Sequence, residues 1–409
     1  MSSANYLMKF LLIHQNFPGQ FRQLAPYLFD QGHEIVGICS HKRLISDKFR
    51  VFRYEVPSKP SDQIPYASQL AHEAFQRASA VARICYQLHS EGWKPDLICA
   101  HSGWGETLGI KEIWPDIPQI IWPELWLKPE HAGWGVDPEK GRPSLDQFLE
   151  HIGRNTLTRA ALSQAKAWIV PTLHQARSFP REYQDQRMKV IHEGIDTSLA
   201  IPNPLVNLVV RDIKITRETP TITFVNRNLE RLRGFDTFMR SLPKIQAINK
   251  DVRVLIVGDN EAGYGGVHSS GRMLKHLLLE ELEGKLDLSR IHFLGRIPHP
   301  MLISLFQVSS VHVYLSYPFV LGWSLLEAMS CGCSIIGSKG MPVEEVIRDN
   351  VEGLLVSITD HNELSNKIIA LLNNSSQRER LSNKARETAL LWDQKLKLNS
   401  LFNFLSKVK

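Results

Sequence analysis

Short, almost unbroken apolar runs alternate along this chain with stretches whose apolar residues recur every three or four positions. Residues 10–13, 35–39, 97–100, 117–121 and 167–170 are runs of the first kind. Runs this short and this apolar read as strands buried on both faces, the pattern of a parallel sheet covered by helices. Residues 21–31 and 67–92 between them carry the helical period, so strand and helix alternate. The pattern then restarts: residues 221–226, 252–257, 291–293, 311–315 and 334–336 form a second strand series, with helices near 235–248, 300–307 and 323–329. The expected fold class is α/β, with two doubly wound, Rossmann-like parallel-sheet domains.

Ile201-Pro-Asn-Pro204 and the polar residues 211–220 interrupt both periods and read as a linker. The expected domains are residues 1–200 and 201–391, the second including the linker 201–220, and a length of 409 suits two cores. Residues 392–409 place Leu396, Leu398, Leu401, Phe402 and Leu405 at helical spacing. That stretch is too short for a domain and should pack on one.

Composition narrows the class. Hydrophobic residues are 43% and charged residues 22% of the chain, ordinary for a folded globular protein. No apolar run approaches the roughly 18 residues of a membrane span, and the N-terminus lacks a basic-then-apolar signal, so a cytoplasmic protein is expected. The five cysteines, Cys39, Cys85, Cys99, Cys331 and Cys333, show no paired spacing and read as reduced thiols. Cys331-Gly-Cys333 reads as buried small residues rather than a redox or metal pair. The net charge is +6; residues 1–200 hold 22 Lys and Arg against 21 Asp and Glu, and residues 201–409 hold 26 against 21. The surplus therefore lies in the second half, favouring an anionic ligand there over a basic first-half membrane face. No basic block with interleaved aromatics occurs, so nucleic acid is not an expected partner.

Ligands of open parallel sheets bind beyond the carboxyl ends of the strands. After the first strand comes His14-Gln-Asn-Phe-Pro-Gly-Gln20, where Gly19 precedes a helix and lets the backbone approach an anion. After the third comes His101-Ser-Gly-Trp-Gly-Glu106. In the second half, Arg227-Asn-Leu-Glu-Arg-Leu-Arg-Gly234 brings three guanidinium groups to a helix start, suited to a diphosphate. The run from Pro318 to Gly332 offers a glycine turn, a serine cap at Ser324 and Glu327 in the first helical turn, an acceptor for ribose hydroxyls. Each also has a structural reading: a turn glycine, a packed histidine, solvated arginines, a dipole-complementing glutamate.

These residues resemble the retaining glycosyltransferases of family 4, which have the GT-B fold. The resemblance covers most of the chain and is strongest over residues 221–357: the run from Leu321 to Cys333 resembles the signature helix, followed by 337–347 and 349–356. First-half matches are residues 17–20, His101 and 192–197. The resemblance implies two domains facing across a cleft, a first that binds acceptor and a second that binds donor, with the terminal helix 392–409 crossing back to the first. It implies that Arg227 and Arg233 hold the diphosphate, although the family's second basic residue is usually a lysine one position before Arg233. Glu327 matches the second glutamate of the paired motif and would bind ribose; Phe319 stands where the first should be. Backbone at Val320, Leu321 and Gly322, with Ser324, completes the donor site, Gly19 and Gln20 lie against the diphosphate, and His101 approaches the donor sugar. His101, Arg227 and Arg233 are the expected catalytic residues.

The expected reaction is hexosyl transfer from a UDP- or GDP-sugar to a hydroxyl of a glycan, lipid-linked or small-molecule acceptor, without metal or cofactor beyond the donor as co-substrate. No Asp-x-Asp pair occurs. Two arginines and a helix start would stabilise charge growing on the leaving diphosphate. Six of nine tryptophans fall between residues 93 and 134, and Trp104, Glu124 and Trp126 are candidate acceptor contacts. Peripheral contact with the inner membrane face stays open. A sugar-nucleotide-binding protein without transferase activity and a GT-B sugar-nucleotide epimerase are the alternatives.

Overall fold

The computed structural model describes residues 7–40, 48–56, 64–261, 263 and 271–408. The chain forms two compact units. The first comprises Met1–Lys128, Arg142–Glu193 and Lys395–Lys409, the second Pro129–Gly141 and Gly194–Gln394.

The first unit is built on seven parallel strands, β1 (Lys9–Ile13), β2 (Glu34–Cys39), β3 (Arg50–Arg53), β4 (Leu97–His101), β5 (Gln119–Trp122), β6 (Ala167–Val170) and β7 (Met188–Val190), in the order β3-β2-β1-β4-β5-β6-β7. Alternate residues of each strand feed opposite layers. Leu11, Ile13 and Ile98 join Val81, Cys85 and Leu88 of the helix Tyr66–Ser90 on one face. Phe10, Leu12 and Leu97 face the other, with Leu24 and Leu28 of the helix Leu24–Asp30. That second layer also takes Leu398, Leu401 and Leu405 from the helix Gln394–Leu405, together with Val408. Lys409 lies outside the described residues.

The second unit opens with an antiparallel pair, β8 (Leu208–Val210) and β9 (Ile213–Ile215). Its main sheet is β10 (Thr221–Asn228), β11 (Arg253–Asp259), β12 (Ile291–Gly295), β13 (Val311–Tyr314), β14 (Ile335–Ser338) and β15 (Gly353–Val356), all parallel, in the order β12-β11-β10-β13-β14-β15. Phe224 and Ile222 pack on Phe235, Phe238 and Leu242 of the helix Phe235–Ile248 on one face. Leu255 and Ile335 face Phe306 and Leu326 on the other.

Three expectations need revising. Residues 211–220 are not a free linker: Leu208, Val210 and Ile215 are buried in the second core, and Arg211 and Asp212 form the tight turn between β8 and β9, at φ 47° and 67°. The break between units falls after Glu193, and Pro129–Gly141 belongs to the second unit, where Asp137 accepts a hydrogen bond from Tyr317 Oη at 2.6 Å. The charge also lies elsewhere. The acidic 129–141 segment leaves the first unit and the lysine-rich 395–409 joins it, so that unit holds 25 Lys and Arg against 17 Asp and Glu, the second 23 against 25.

All five cysteines are free and buried, which pushes the Cys331 and Cys85 thiols up to about 12. Cys333 donates through Sγ to the Phe306 carbonyl at 3.1 Å.

Candidate functional site

In a doubly wound sheet, loops leaving two adjacent strands diverge where the strand order reverses, opening a crevice beyond the carboxyl ends. The reversal in the first unit lies between β1 and β4, in the second between β10 and β13. The polar strand-end motifs fall at these two places.

In the first unit, His14 leaves β1, His101 ends β4 and Glu124 follows β5. They join in one chain. The backbone N–H of Asn16 donates to His14 Nδ1 at 2.9 Å, which leaves the His14 proton on Nε2, directed at Gln20 Oε1 2.5 Å away. Gln20 Nε2 in turn donates to Glu124 Oε1 at 2.5 Å, and Glu124 Oε2 stands 3.6 Å from His101 Nε2. The two imidazoles are 4.8 Å apart, centroid to centroid. Gly19 has φ 46°, and a Cβ there would lie 2.3 Å from the His14 ring. Only glycine permits that approach.

Burial, with His101 beside it, lowers the His14 pKa to about 3, so His14 is a neutral hydrogen-bonding link. Burial also opposes charge on His101, but the hydrogen bond and charge of Glu124, with Glu106 and Glu193 behind it, outweigh it and raise that pKa. Burial likewise opposes charge on Glu124, and His101 outweighs it, holding the carboxyl below its usual range. Both shifts favour an imidazolium–carboxylate pair at the crevice.

Glu124 has φ 55°, a left-handed conformation that costs a non-glycine residue about 1 kcal/mol or more. The short helix Leu173–Ser178 holds it there. Gln175 Nε2 donates to the Glu124 carbonyl at 3.0 Å, while Ser178 Oγ accepts from the Trp126 N–H at 3.0 Å.

In the second unit, Arg227 lies at the carboxyl end of β10, before the strand closes at Asn228, and it separates from Arg231 and Arg233, which follow the strand. Arg231 is taken by carboxylates: Asp137 at 3.3 Å, Glu139 at 2.6 Å and Asp236 at 3.0 Å. Arg233 donates to Ser316 Oγ at 2.8 Å, with its guanidinium 5.5 Å from the centre of the Phe319 ring. Arg227 is exposed, and its side chain makes no hydrogen bond or ion pair among the described residues. Gly234, φ 64°, leads into the helix Phe235–Ile248.

The run 318–332 differs from its sequence reading. The helix is Trp323–Ser330 with Gly322 at its N-cap, so Ser324 is inside the helix and is not the cap. Glu327 is consequently in the second turn. Residues 318–322 are non-helical, and Tyr314 Oη accepts from the Gly322 N–H at 2.8 Å, fixing the helix start. Val320 and Leu321 lead into it, the Val320 carbonyl 3.4 Å from Arg233 Nη1. Glu327 is buried and its Oε1 is 2.8 Å from His299 Nε2. Sequence reasoning did not single out His299, which lies 28 positions from its partner on another helix.

Sequence reasoning gave His14 no role beyond membership of its motif, and it missed the link from His101 to Glu124. A histidine at each of two adjacent strand ends was the available signal. Trp104 and Trp126 stand apart from that chain in their contacts. The guanidinium groups of Arg77 and Arg154 lie over the Trp104 ring, at 5.6 and 5.0 Å, and Trp126 stacks on Tyr183 at 5.7 Å.

Two family models match: glycosyl transferase family 4 group over residues 31–200, and glycosyl transferases group 1 over residues 210–388. The N-acetyl-alpha-D-glucosaminyl L-malate synthase of Bacillus anthracis is 25% identical over 375 residues, covering 90% of this chain and 87% of that protein. A phosphatidylinositol N-acetylglucosaminyltransferase component from Arabidopsis thaliana is 23% identical over 269 residues, 62% of this chain and 51% of its own, so the match spans about half that relative's length. Among solved structures, the sucrose-phosphate synthase of Thermosynechococcus elongatus superposes with a TM-score of 0.74 at 18% identity, covering 98% of this chain and 99% of that one. Anabaena Alr3699/HepE, in complex with UDP and glucose, gives 0.71 at 17% identity with the same coverage. These likenesses show the fold.

Proposed function

Because this chain belongs to the group 1 glycosyltransferases of family 4, we propose that it is a retaining, metal-independent hexosyltransferase that uses a nucleotide diphosphate sugar and delivers the sugar to an acceptor hydroxyl. The observation that carries this reading is the contrast among three arginines, one at the carboxyl end of β10 and two in the turn that follows it. Arg231 is consumed by carboxylates, whereas Arg227 keeps its guanidinium unpaired among the described residues at the strand-order reversal, and Arg233 is held nearby in sequence by Ser316. Two such groups suit the oxygens of a leaving diphosphate.

The second unit binds the donor: Arg227, Arg233, the backbone at Val320, Leu321 and Gly322, and Ser324 in the first turn of the helix take the diphosphate, and Glu327, oriented by His299, accepts from the ribose hydroxyls. The first unit binds the acceptor, with His101, Glu124, Trp104 and Trp126 toward its hydroxyls. In the reaction the bond from the anomeric carbon to the phosphate oxygen breaks and the acceptor oxygen bonds that carbon on the same face. The acceptor proton passes to the departing phosphate, whose growing negative charge the arginines stabilise.

The test is a panel of UDP- and GDP-sugars, scored for thermal stabilisation and then for donor consumption, on the wild type and Arg227→Ala. Consumption lowered about a hundredfold in the variant is expected. A donor that binds and is never consumed would establish a binding protein, and an isomerised donor an epimerase.

A further inference from the structure

The helix Leu145–Ser163 turns an apolar stripe outward. Leu145, Phe148, Leu149 and Ile152 share one face at the i, i+3, i+4, i+7 spacing and are 74%, 42%, 38% and 60% exposed. This is a well-made helix rather than a frayed end. Ser144 and Gln147 close a capping box at its start, and Thr158, Ala161 and Leu162 are buried on its inner side, where it packs against the helix Tyr66–Ser90.

Charge indicates what covers the stripe. Exposed Arg142 precedes it by three residues, and exposed Arg159 extends the same line of the helix at its far end, over the Trp126 ring at 5.7 Å. The helix's acidic residues, Asp146 and Glu150, fall about 100–140° round from Leu145. Glu150 is engaged by Arg154 at 3.3 Å. The unit that bears this face has a net charge of +8, from 25 basic and 17 acidic residues, and the other unit −2.

We propose that this face docks the protein on an anionic lipid surface. The four apolar side chains enter the boundary between headgroups and acyl chains, Arg142 and Arg159 reach the lipid phosphates from either end of the stripe, and the surplus charge of the unit draws the protein in. A second copy of the chain fits less well, since a two-fold contact through this face would set two +8 units against each other. Docking requires neither sugar donor nor acceptor, so it stands or falls separately from the transferase reading.

The test is cosedimentation of the full chain with vesicles of equal parts phosphatidylglycerol and phosphatidylcholine, and with phosphatidylcholine alone. Binding to the first, not the second, weakened by salt, is expected. The combined variant Leu145→Ser, Phe148→Ser, Leu149→Ser, Ile152→Ser should lower partitioning about tenfold or more with an unchanged circular dichroism spectrum. Arg142→Glu with Arg159→Glu, which leaves the apolar stripe intact, should lose the preference for anionic vesicles even if the serine variant fails to fold. Wild type remaining in the supernatant would overturn the proposal, as would arginine variants that bind like wild type. A concentration-dependent dimer broken by the serine substitutions would assign the face to self-association instead.

Discussion

At the scale of single residues, the candidate site is a set of groups held in states they would not adopt alone. Glu124 is the clearest case: its backbone is strained, and Gln20, His101 and Gln175 hold it there. Glycine at this position relieves the strain and removes the carboxylate. Because it also leaves Gln20 and the buried His101 without their carboxylate partner, Glu124→Gly is expected to melt below wild type despite the relieved strain, with turnover at least about tenfold lower, judged by calorimetry and donor consumption on the same preparation. A lower melting temperature with turnover intact would make Glu124 a structural residue. Glu327→Gln fills the same space and can still meet His299, but a neutral acceptor bonds ribose hydroxyls less well than a carboxylate. Nucleotide affinity should drop about tenfold in titration calorimetry. Affinity equal to wild type would leave Glu327 no role beyond holding the His299 helix.

At the scale of elements, what is legible in the sequence depends on whether an element's residues face the core. Runs such as Phe10 to Ile13 and Val254 to Val257 are buried on both sides, so their apolar continuity reveals the strands. The edge strand β3 (Arg50–Arg53) shows no such run, and Leu145–Ser163 faces much of its apolar surface outward, which blurs the period. The β8–β9 pair hides behind the polar turn at Arg211 and Asp212. The strand-end motifs were legible because doubly wound sheets place ligands there, but the partnerships of Glu327 with His299 and of His101 with Glu124 join distant segments, and spacing carries no trace of them. The same holds for Pro129–Gly141, whose anchorage in the second unit rests on Asp137 between Tyr317 and Arg231. Asp137→Ala leaves the Tyr317 hydroxyl without that acceptor. Urea unfolding of the second unit should show a loss of about 1–3 kcal/mol, and an unchanged midpoint would make the segment a passive neighbour.

At the scale of the whole molecule, three buried neutral imidazoles set the response to acid. His14, His192 and His312 are each lowered to about 3, by burial in every case, with His101 adding to the effect at His14 and Lys397 at His192. The unfolded chain binds these protons near the ordinary histidine value and the folded chain does not. Stability should therefore fall as pH drops below about 6.5, by up to about 1.4 kcal/mol per pH unit for each group. His101 has the opposite sign: its raised pKa contributes stability fully present below the ordinary histidine value and lost as pH rises through the folded value. Melting temperatures from pH 4.5 to 8 should decline on the acid side, and a flat acid limb would contradict the neutral assignment. The assignment of Lys395–Lys409 to the first unit has a consequence for how the protein is made. A ribosome delivers β1 to β7 long before Leu398, Leu401 and Leu405, so throughout synthesis of the second unit one face of the first sheet lacks part of its cover. Nascent chains arrested before Lys395 should keep the first unit open to protease while the second is already resistant, making the first domain translated the last to be finished.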